Sequence, residues 1–125
     1  TGNVGIATNA PTEALEVIGN IKLSGTVTAA SDRRLKTNIK PITNALESVR
    51  KLDGVSFDMD LNGKTEKHLG LVAQDVEKVF PDVVRVSENG MYGVNYQNIV
   101  APLIEAIKEL SQKVDNLENK LKSIV

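Results

Sequence analysis

The chain has 125 residues, of which 41% are apolar and only 3% aromatic, so the one small core that it can build must be made of aliphatic side chains. It contains no cysteine and a single histidine, which excludes a disulfide framework, a thiolate zinc site and any site that needs several histidines. Because the net charge is −1 and no apolar run approaches the length of a membrane span, we expect neither a nucleic acid nor a membrane as a partner.

The first thirty residues are expected to form short β-strands separated by glycines and Pro11. Alternating, β-branched residues predict strands at 15–18, 21–23 and 26–28. A segment of this kind cannot bury a core alone, so its strand edges need partners, and a flexible N-terminal arm is the alternative. Since the sequence starts abruptly at Thr1 without a methionine, we also expect it to be a piece of a longer protein.

The middle of the chain, residues 31–96, is predicted to be a compact α+β unit. Helical spacing of apolar residues alternates there with strand-like segments. Two Asn-Gly pairs, at 62–63 and 89–90, are strong signals for hairpin turns. We therefore predict a helix, a hairpin, a second helix and a second hairpin, in that order. They are expected at 42–52, at 55–59 with 68–72, at 74–80, and at 83–86 with 91–94.

The last segment, residues 97–125, carries an apolar stripe that predicts a long helix with a coiled-coil seam. Its apolar residues are spaced alternately by three and four, so they occupy heptad positions a and d: Val100, Leu103, Ile107, Leu110, Val114, Leu117, Leu121 and Ile124. An amphipathic helix folded back on its own domain is the alternative. Judged by packing preference alone, Val, Ile, Val and Leu at a with mostly leucine at d favour a parallel dimer.

A serine and a lysine five residues apart, Ser31 and Lys36, are the candidates for chemistry. A serine becomes a nucleophile only beside a base, and a free lysine with a pKa of about 10.4 is protonated at neutral pH. Burial or a neighbouring cation must lower that pKa, and Arg33 and Arg34 are close in sequence. The plainer alternative is that Ser31 and Asp32 form a turn or a helix cap.

Three separated strings extend this candidate site along the chain, over about residues 31–110. They are Ser31-Asp32-Arg33-Arg34-Leu35-Lys36-Thr37-Asn38-Ile39, then His68-Leu69-Gly70-Leu71-Val72-Ala73-Gln74-Asp75-Val76 with Phe80-Pro81, then Gly93-Val94-Asn95-Tyr96 leading into Leu103-Ile104-Glu105-Ala106-Ile107. In this order and spacing the chain resembles the C-terminal intramolecular chaperone domain of endosialidase-type phage tailspike, tail-fibre and neck-appendage proteins, the S74 peptidase family.

The resemblance implies a self-cleaving serine peptidase that works once, with a Ser-Lys dyad. Ser31 matches the nucleophile, Lys36 matches the base, and the bond between Ala30 and Ser31 matches the cleaved bond. His68, Asp32 and Arg34 are carried over only as supporting residues. The resemblance implies no metal and no cofactor.

The resemblance also implies a homotrimer whose partner is the upstream fibre segment of the same pre-protein. Residues 1–30 then end a fibre stem built as an intertwined triple β-helix, 31–96 form the chaperone and autoprotease domain, and 97–125 form a parallel trimeric coiled coil. We follow this implication over the dimer that the seam alone favours. The expected place of assembly is the host bacterial cytoplasm, with the fibre part kept on the virion and the chaperone part released.

Two rival interpretations remain open on the sequence. A non-enzymatic trimerisation or attachment module of a fibre protein would share the strands and the coiled coil, but would use Ser31 only as a turn residue. A cellular protein that borrows the same domain, such as a membrane-tethered transcription factor of the myelin-regulator type, is the other. The glycine-rich strands in residues 1–30 favour a fibre.

Overall fold

A computed structural model of the chain describes residues 2–61 and 63–124. The chain divides into two compact units, one of residues 1–40 with 57–68 and the other of residues 41–56 with 69–125. Helices and strands are both present, which confirms the α+β class. None of the described helices has the length and apolar character that a membrane crossing requires.

The first unit begins with two short parallel strands, β1 (Val4–Ile6) and β2 (Leu15–Val17). Parallel strands usually need a crossover of a dozen or more residues, whereas residues 7–14 alone join this pair. The connection turns sharply enough that Ala7 adopts a positive φ of 60° and a Cβ at Gly5 would overlap the Thr8 carbonyl oxygen. The strand expected at 15–18 is confirmed by β2.

The strands expected at 21–23 and 26–28 are wrong for the single chain, which runs there without regular secondary structure. A strand is defined by its hydrogen bonds to a neighbouring strand, and no strand in the described part of the chain pairs with these residues. Their apolar side chains are left exposed, with Ile21 at 63% and Val27 at 64%. Strand propensity without a partner therefore leaves a segment that has no regular structure and exposes its apolar side chains.

The first predicted hairpin is formed by β3 (Val55–Leu61) and β4 (Lys64–Gly70), which pair in a sheet of their own. Pairing continues up to the turn, so β3 ends later and β4 begins earlier than predicted. Gly63 adopts a φ of +76°, which a glycine reaches without strain. The other half of the predicted turn, Asn62, lies outside the described residues.

The second unit contains two short helices, α1 (Ala45–Val49) and α2 (Ala73–Glu77). The prediction of 42–52 for the first helix was too long. Asn44 takes a left-handed conformation with φ of 53°, so the helix cannot start before Ala45, and beyond Val49 the turns tighten to hydrogen bonds between residues three apart. The second helix likewise ends before Phe80, the residue that precedes Pro81.

The second predicted hairpin is confirmed in β5 (Val84–Val86) and β6 (Tyr92–Val94), which pair antiparallel. A small core lies beside it and buries one residue from each of three neighbouring segments. These residues are Val76, Val83 and Ile99, with Leu52, Leu71, Phe80, Val84 and Val94 packed around them. The core is entirely aliphatic apart from Phe80, as the composition requires.

The predicted C-terminal helix is a single element, α3 (Val100–Ile124), preceded by a 3-10 turn (Tyr96–Ile99). The short helix α1 packs against its N-terminal half, where Pro102 and Ala106 are buried. Glu109 on α3 supplies the cap that α1 lacks on its own, because its Oε2 accepts hydrogen bonds from the backbone N–H groups of Ala45 at 2.7 Å and Leu46 at 3.2 Å. One flank of α3 is thus fixed to the unit.

Replacing Glu109 by alanine is expected to lower the free energy of unfolding by about 1 kcal/mol, the usual cost of losing a helix cap. Urea unfolding, followed by circular dichroism, measures the change. Glu105→Ala is the matched control on the same helix, since among the described residues Glu105 forms an ion pair with the exposed Lys108 alone, at 3.2 Å. Equal losses in the two variants would contradict the capping role.

Candidate functional site

The segment that carries Ser31 and Lys36 folds into a single 3-10 turn, Arg33–Leu35. Asp32 caps this turn, because its Oδ1 accepts a hydrogen bond from the Arg34 backbone N–H at 2.8 Å. The Lys36 backbone N–H closes the turn on the Arg33 carbonyl oxygen at 3.0 Å. A tight turn of this length brings a residue back toward the one five positions earlier.

The two candidate catalytic side chains are in contact, with Lys36 Nζ donating a hydrogen bond to Ser31 Oγ at 2.8 Å. Both residues are exposed in the single chain. A general base has to accept the hydroxyl proton, so the lysine must first lose the proton of its ammonium form. The geometry of a Ser-Lys pair is therefore present, and the chemistry additionally requires an environment that favours the neutral amine.

Of the two arginines that are close to Lys36 in sequence, one is engaged by the neighbouring carboxylate. Arg34 forms a two-pronged ion pair with Asp32, with Nε 3.0 Å from Oδ1 and Nη2 3.1 Å from Oδ2. The side-chain contact with Arg34, and then its backbone N–H, hold the pKa of Asp32 below its usual value, and the same pair raises the pKa of Arg34. Arg33, the other arginine of this turn, forms no ion pair with the described residues of the turn.

The single histidine, His68, lies on β4 and is half-buried. Its ring stacks on Phe57 with the centroids 6.0 Å apart and an angle of 14° between the planes, and its Nε2 lies 3.5 Å from Glu66 Oε2. It lines a cavity of about 240 Å³ together with Gly19, Asn20, Met59, Leu61, Lys64 and Glu66. No hydrogen bond or ion pair of the described chain joins it to Ser31 or Lys36, so its supporting role stays a prediction.

The apolar stripe of α3 is uncovered along its whole length. All eight of its a and d residues are exposed, from 41% at Leu103 to 79% at Ile124. Glu109, which binds α1, and the buried Pro102 and Ala106 lie at positions c and g, so these contacts leave the stripe free. The helix is therefore not folded back along its apolar face, and a coiled coil remains the prediction for what covers that face.

One residue with a positioning role, Tyr96, was not singled out by the sequence reasoning. Its hydroxyl donates to the Leu71 carbonyl oxygen at 3.2 Å and accepts from the Leu71 N–H at 3.0 Å. Both backbone groups of Leu71 are thus satisfied directly after β4 ends. The two residues are 25 positions apart, so no local pattern indicates the contact.

Tyr96→Phe is expected to lower the free energy of unfolding by about 1–2 kcal/mol, because one hydroxyl serves two backbone groups. Thermal unfolding measures the loss. Tyr92→Phe is the matched control, since the Tyr92 hydroxyl makes no hydrogen bond within the described residues, and it should change stability by a few tenths of a kcal/mol. A Tyr96 variant as stable as the control would show that the contact contributes nothing.

Comparison with known proteins points to the same part of the chain. Residues 31–85 match a protein-family model described as the chaperone of endosialidase. The chain is 45% identical over 98 residues to the long tail fiber protein Gp37 of Enterobacteria phage K3. This alignment takes in 73% of the chain but only 8% of the phage protein, so the chain corresponds to a small part of that relative's length.

Two further relatives come from Dictyostelium discoideum and align with nearly the whole chain. An uncharacterized protein is 31% identical over 144 residues, which covers 98% of the chain and 13% of that protein. Myelin gene regulatory factor-like A is 29% identical over 141 residues, which covers 96% of the chain and 15% of that protein. The alignments with these two relatives thus include the N-terminal strands as well as the region matched by the family.

Proposed function

The chain carries a chaperone domain of the endosialidase family, and from this premise we propose that it assembles a phage fibre and then cuts itself off between Ala30 and Ser31. The observation that supports the cut most directly is the 2.8 Å contact between Lys36 Nζ and Ser31 Oγ. It occurs at the residue where the family match begins. The proposed enzyme is a serine peptidase that acts once, on its own chain.

The proposed reaction starts with a neutral Lys36, which takes the proton of the Ser31 hydroxyl. Oγ then attacks the carbonyl carbon of Ala30, and a C–O bond forms as the peptide C–N bond breaks. Lys36 returns the proton to the departing amine of Ser31, which leaves an ester between Ala30 and the Ser31 side chain. One water molecule hydrolyses this ester, giving a carboxylate on Ala30 and a free hydroxyl and α-amino group on Ser31.

Assembly into a homotrimer is proposed to switch this reaction on. In the single chain the dyad is exposed, where water stabilises the charged lysine. The exposed stripe of α3 offers the surface for association, and neighbouring chains can then bury the amine and lower its pKa. The contact between Ser31 and Lys36 is already formed, so desolvation, rather than approach of the two side chains, is the step assigned to assembly.

The proposed chaperone role is supported by the N-terminal segments that have strand propensity but form no strand in the single chain. Residues 21–23 and 26–28 have strand propensity and exposed apolar side chains, but no strand pairs with them among the described residues of one chain. Three chains held together by α3 would bring these segments into register, which shortens the slow search for non-local β pairing. Cleavage then leaves a triple β-helix that has lost the part that helped it form, and so is kinetically trapped.

The two products of the proposed cleavage are expected to end up in different places. Residues up to Ala30 stay with the upstream fibre on the virion, and residues 31–125 are released in the cytoplasm of the host bacterium. The myelin-regulator alternative draws on a relative of 29% identity, whereas the tail-fibre relative reaches 45%. We therefore assign the domain to a fibre.

The function is tested on the wild-type chain, which is made by total chemical synthesis and kept unfolded in urea. Prepared in this way, the chain cannot fold and cut itself before the experiment begins. After dilution into neutral buffer, intact-mass spectrometry should find two pieces, residues 1–30 and residues 31–125, with Ser31 as a new N-terminus. A chain that stays whole in a folded trimer would contradict autoproteolysis. It would instead identify the non-enzymatic trimerisation module.

A further inference from the structure

The acidic group next to the proposed nucleophile poses an electrostatic problem for the proposed base. Asp32 directly follows Ser31, and Lys36 Nζ lies 2.8 Å from Ser31 Oγ. A carboxylate close to an ammonium group stabilises the charged form and raises the pKa of the amine. A free Asp32 would therefore oppose the loss of the proton on which the reaction depends.

The structure shows how this carboxylate is occupied. Both of its oxygens are used by Arg34, since Oδ1 accepts from the Arg34 backbone N–H at 2.8 Å and from Nε at 3.0 Å, and Oδ2 accepts from Nη2 at 3.1 Å. The guanidinium is the side chain best suited to this two-pronged contact, because its donors match the spacing of the carboxylate oxygens. Asp32 and Arg34 thus form a closed pair without net charge, while Lys36 contacts Ser31.

We propose that Arg34 is a positioning residue, which holds the Asp32 carboxylate away from Lys36 so that the lysine can become the base. The proposal rests on the proposed autoproteolysis. Arg34 touches neither Ser31 nor the bond that is cut; it acts through Asp32. This role differs from that of a cation placed beside the lysine, because its charge is already matched by the carboxylate.

The stretch of chain that carries Lys36 contains further charged residues. Apart from Asp32 and Arg34, the charged neighbours of Lys36 within residues 31–40 are Arg33 and Lys40, both positive, and neither offers Lys36 an anion. No described helix or strand packs extensively on the 3-10 turn Arg33–Leu35. Asp32 is therefore the one acidic residue within residues 31–40, and its ion pair with Arg34 determines whether a free negative charge lies in the segment that carries Lys36.

The pH dependence of cleavage tests the proposal. The rate should rise with pH as Lys36 loses its proton, so a higher pKa moves the midpoint of this rise to higher pH. Arg34→Gln frees the carboxylate, and the midpoint should rise by about one unit or more, with cleavage about tenfold slower at neutral pH. In the double variant Asp32→Asn/Arg34→Gln the carboxylate is gone, while asparagine still caps the turn, so the midpoint should return to the wild-type value.

A purely structural role for Arg34 predicts a different result. Arg34→Gln would then lower the rate by the same factor at every pH, and the double variant would be no faster than the single one. Either observation overturns the proposal. The rates are measured by intact mass after dilution of each full-length chain from urea into buffers across the pH range.

A second measurement separates this proposal from the proposed function. In the uncleaved Ser31→Ala chain, NMR titration of the Lys36 side chain reports its pKa directly. Arg34→Gln in this background should raise that pKa, and Asp32→Asn/Arg34→Gln should not. If the wild-type chain fails to cleave but the pKa of Lys36 responds in this way, autoproteolysis is refuted and the effect of Arg34 on Lys36 stands. If the chain cleaves but the pKa of Lys36 does not respond, autoproteolysis stands and the positioning role of Arg34 is refuted.

Discussion

Ser31→Ala and Lys36→Ala are each expected to keep the chain whole after folding. The first substitution removes the nucleophile and the second the only side chain that contacts it through a hydrogen bond in the described structure. Loss of a general base alone typically lowers a rate by about 10²–10⁴, and loss of the nucleophile removes the pathway altogether. Intact mass as a function of time after dilution from urea measures both effects.

The fold should survive both substitutions, because Ser31 and Lys36 are exposed and belong to no core. Circular dichroism and the oligomeric state are therefore expected to match the wild type. Lys40→Ala is the matched control, since it removes an exposed lysine of the same segment without touching Ser31. Cleavage of the Lys36 variant at the rate of the Lys40 variant would show that Lys36 is not the base.

A double substitution in the apolar stripe, Leu110→Asp with Leu117→Asp, is expected to leave the chain monomeric and uncleaved. Both leucines occupy d positions and are exposed in the single chain, at 49% and 60%. In a bundle of three helices each aspartate would lie in the seam beside two others, and burying unpaired carboxylates there costs several kcal/mol. Without association the dyad stays hydrated, so cleavage should slow by about 100-fold or more.

Sedimentation velocity reports the oligomeric state, and intact mass reports the cut in the same samples. The control places the same two charges on the opposite face of the helix, as Gln112→Asp with Asn119→Asp at f positions. This chain should assemble and cleave as the wild type does. A seam variant that is monomeric yet cleaves at the wild-type rate would separate catalysis from assembly and contradict the proposed switch.

Local signals in the sequence predicted those parts of the fold that depend on neighbouring residues. The hairpin of β5 and β6 follows from alternating residues around Asn89-Gly90, and the long helix α3 follows from its heptad spacing. The cap at Asp32 was also among the alternatives, because aspartate is a common helix cap. In each case the residues that decide the structure are close together in the chain.

Other parts of the fold depend on contacts with residues far away in the sequence, which no local pattern reveals. The start of α1 is set by Asn44 in a left-handed conformation and by Glu109, which reaches Ala45 from 64 residues away. The end of β4 is held by Tyr96 from 25 residues away. The expected strands at 21–23 and 26–28 need strands that a single chain does not supply.

The candidate site was predictable in part. The pairing of Ser31 with Lys36 was expected from the resemblance, and the structure brings the two side chains together. The ion pair of Arg34 with Asp32 was not expected, because spacing alone does not tell which of two adjacent arginines turns toward the carboxylate. That choice alters the electrostatics of the site, since it replaces a free cation by a neutral pair.

The dependence of the cleavage rate on chain concentration tests the central claim, that assembly activates the Ser31 and Lys36 pair. Wild-type chain is diluted from urea to a series of concentrations, and the fraction cut between Ala30 and Ser31 is followed by intact mass. We predict a rate that rises steeply with concentration and reaches a plateau once sedimentation shows the chain to be fully trimeric. Cleavage at one constant rate, down to concentrations where the chain is monomeric, would contradict the account.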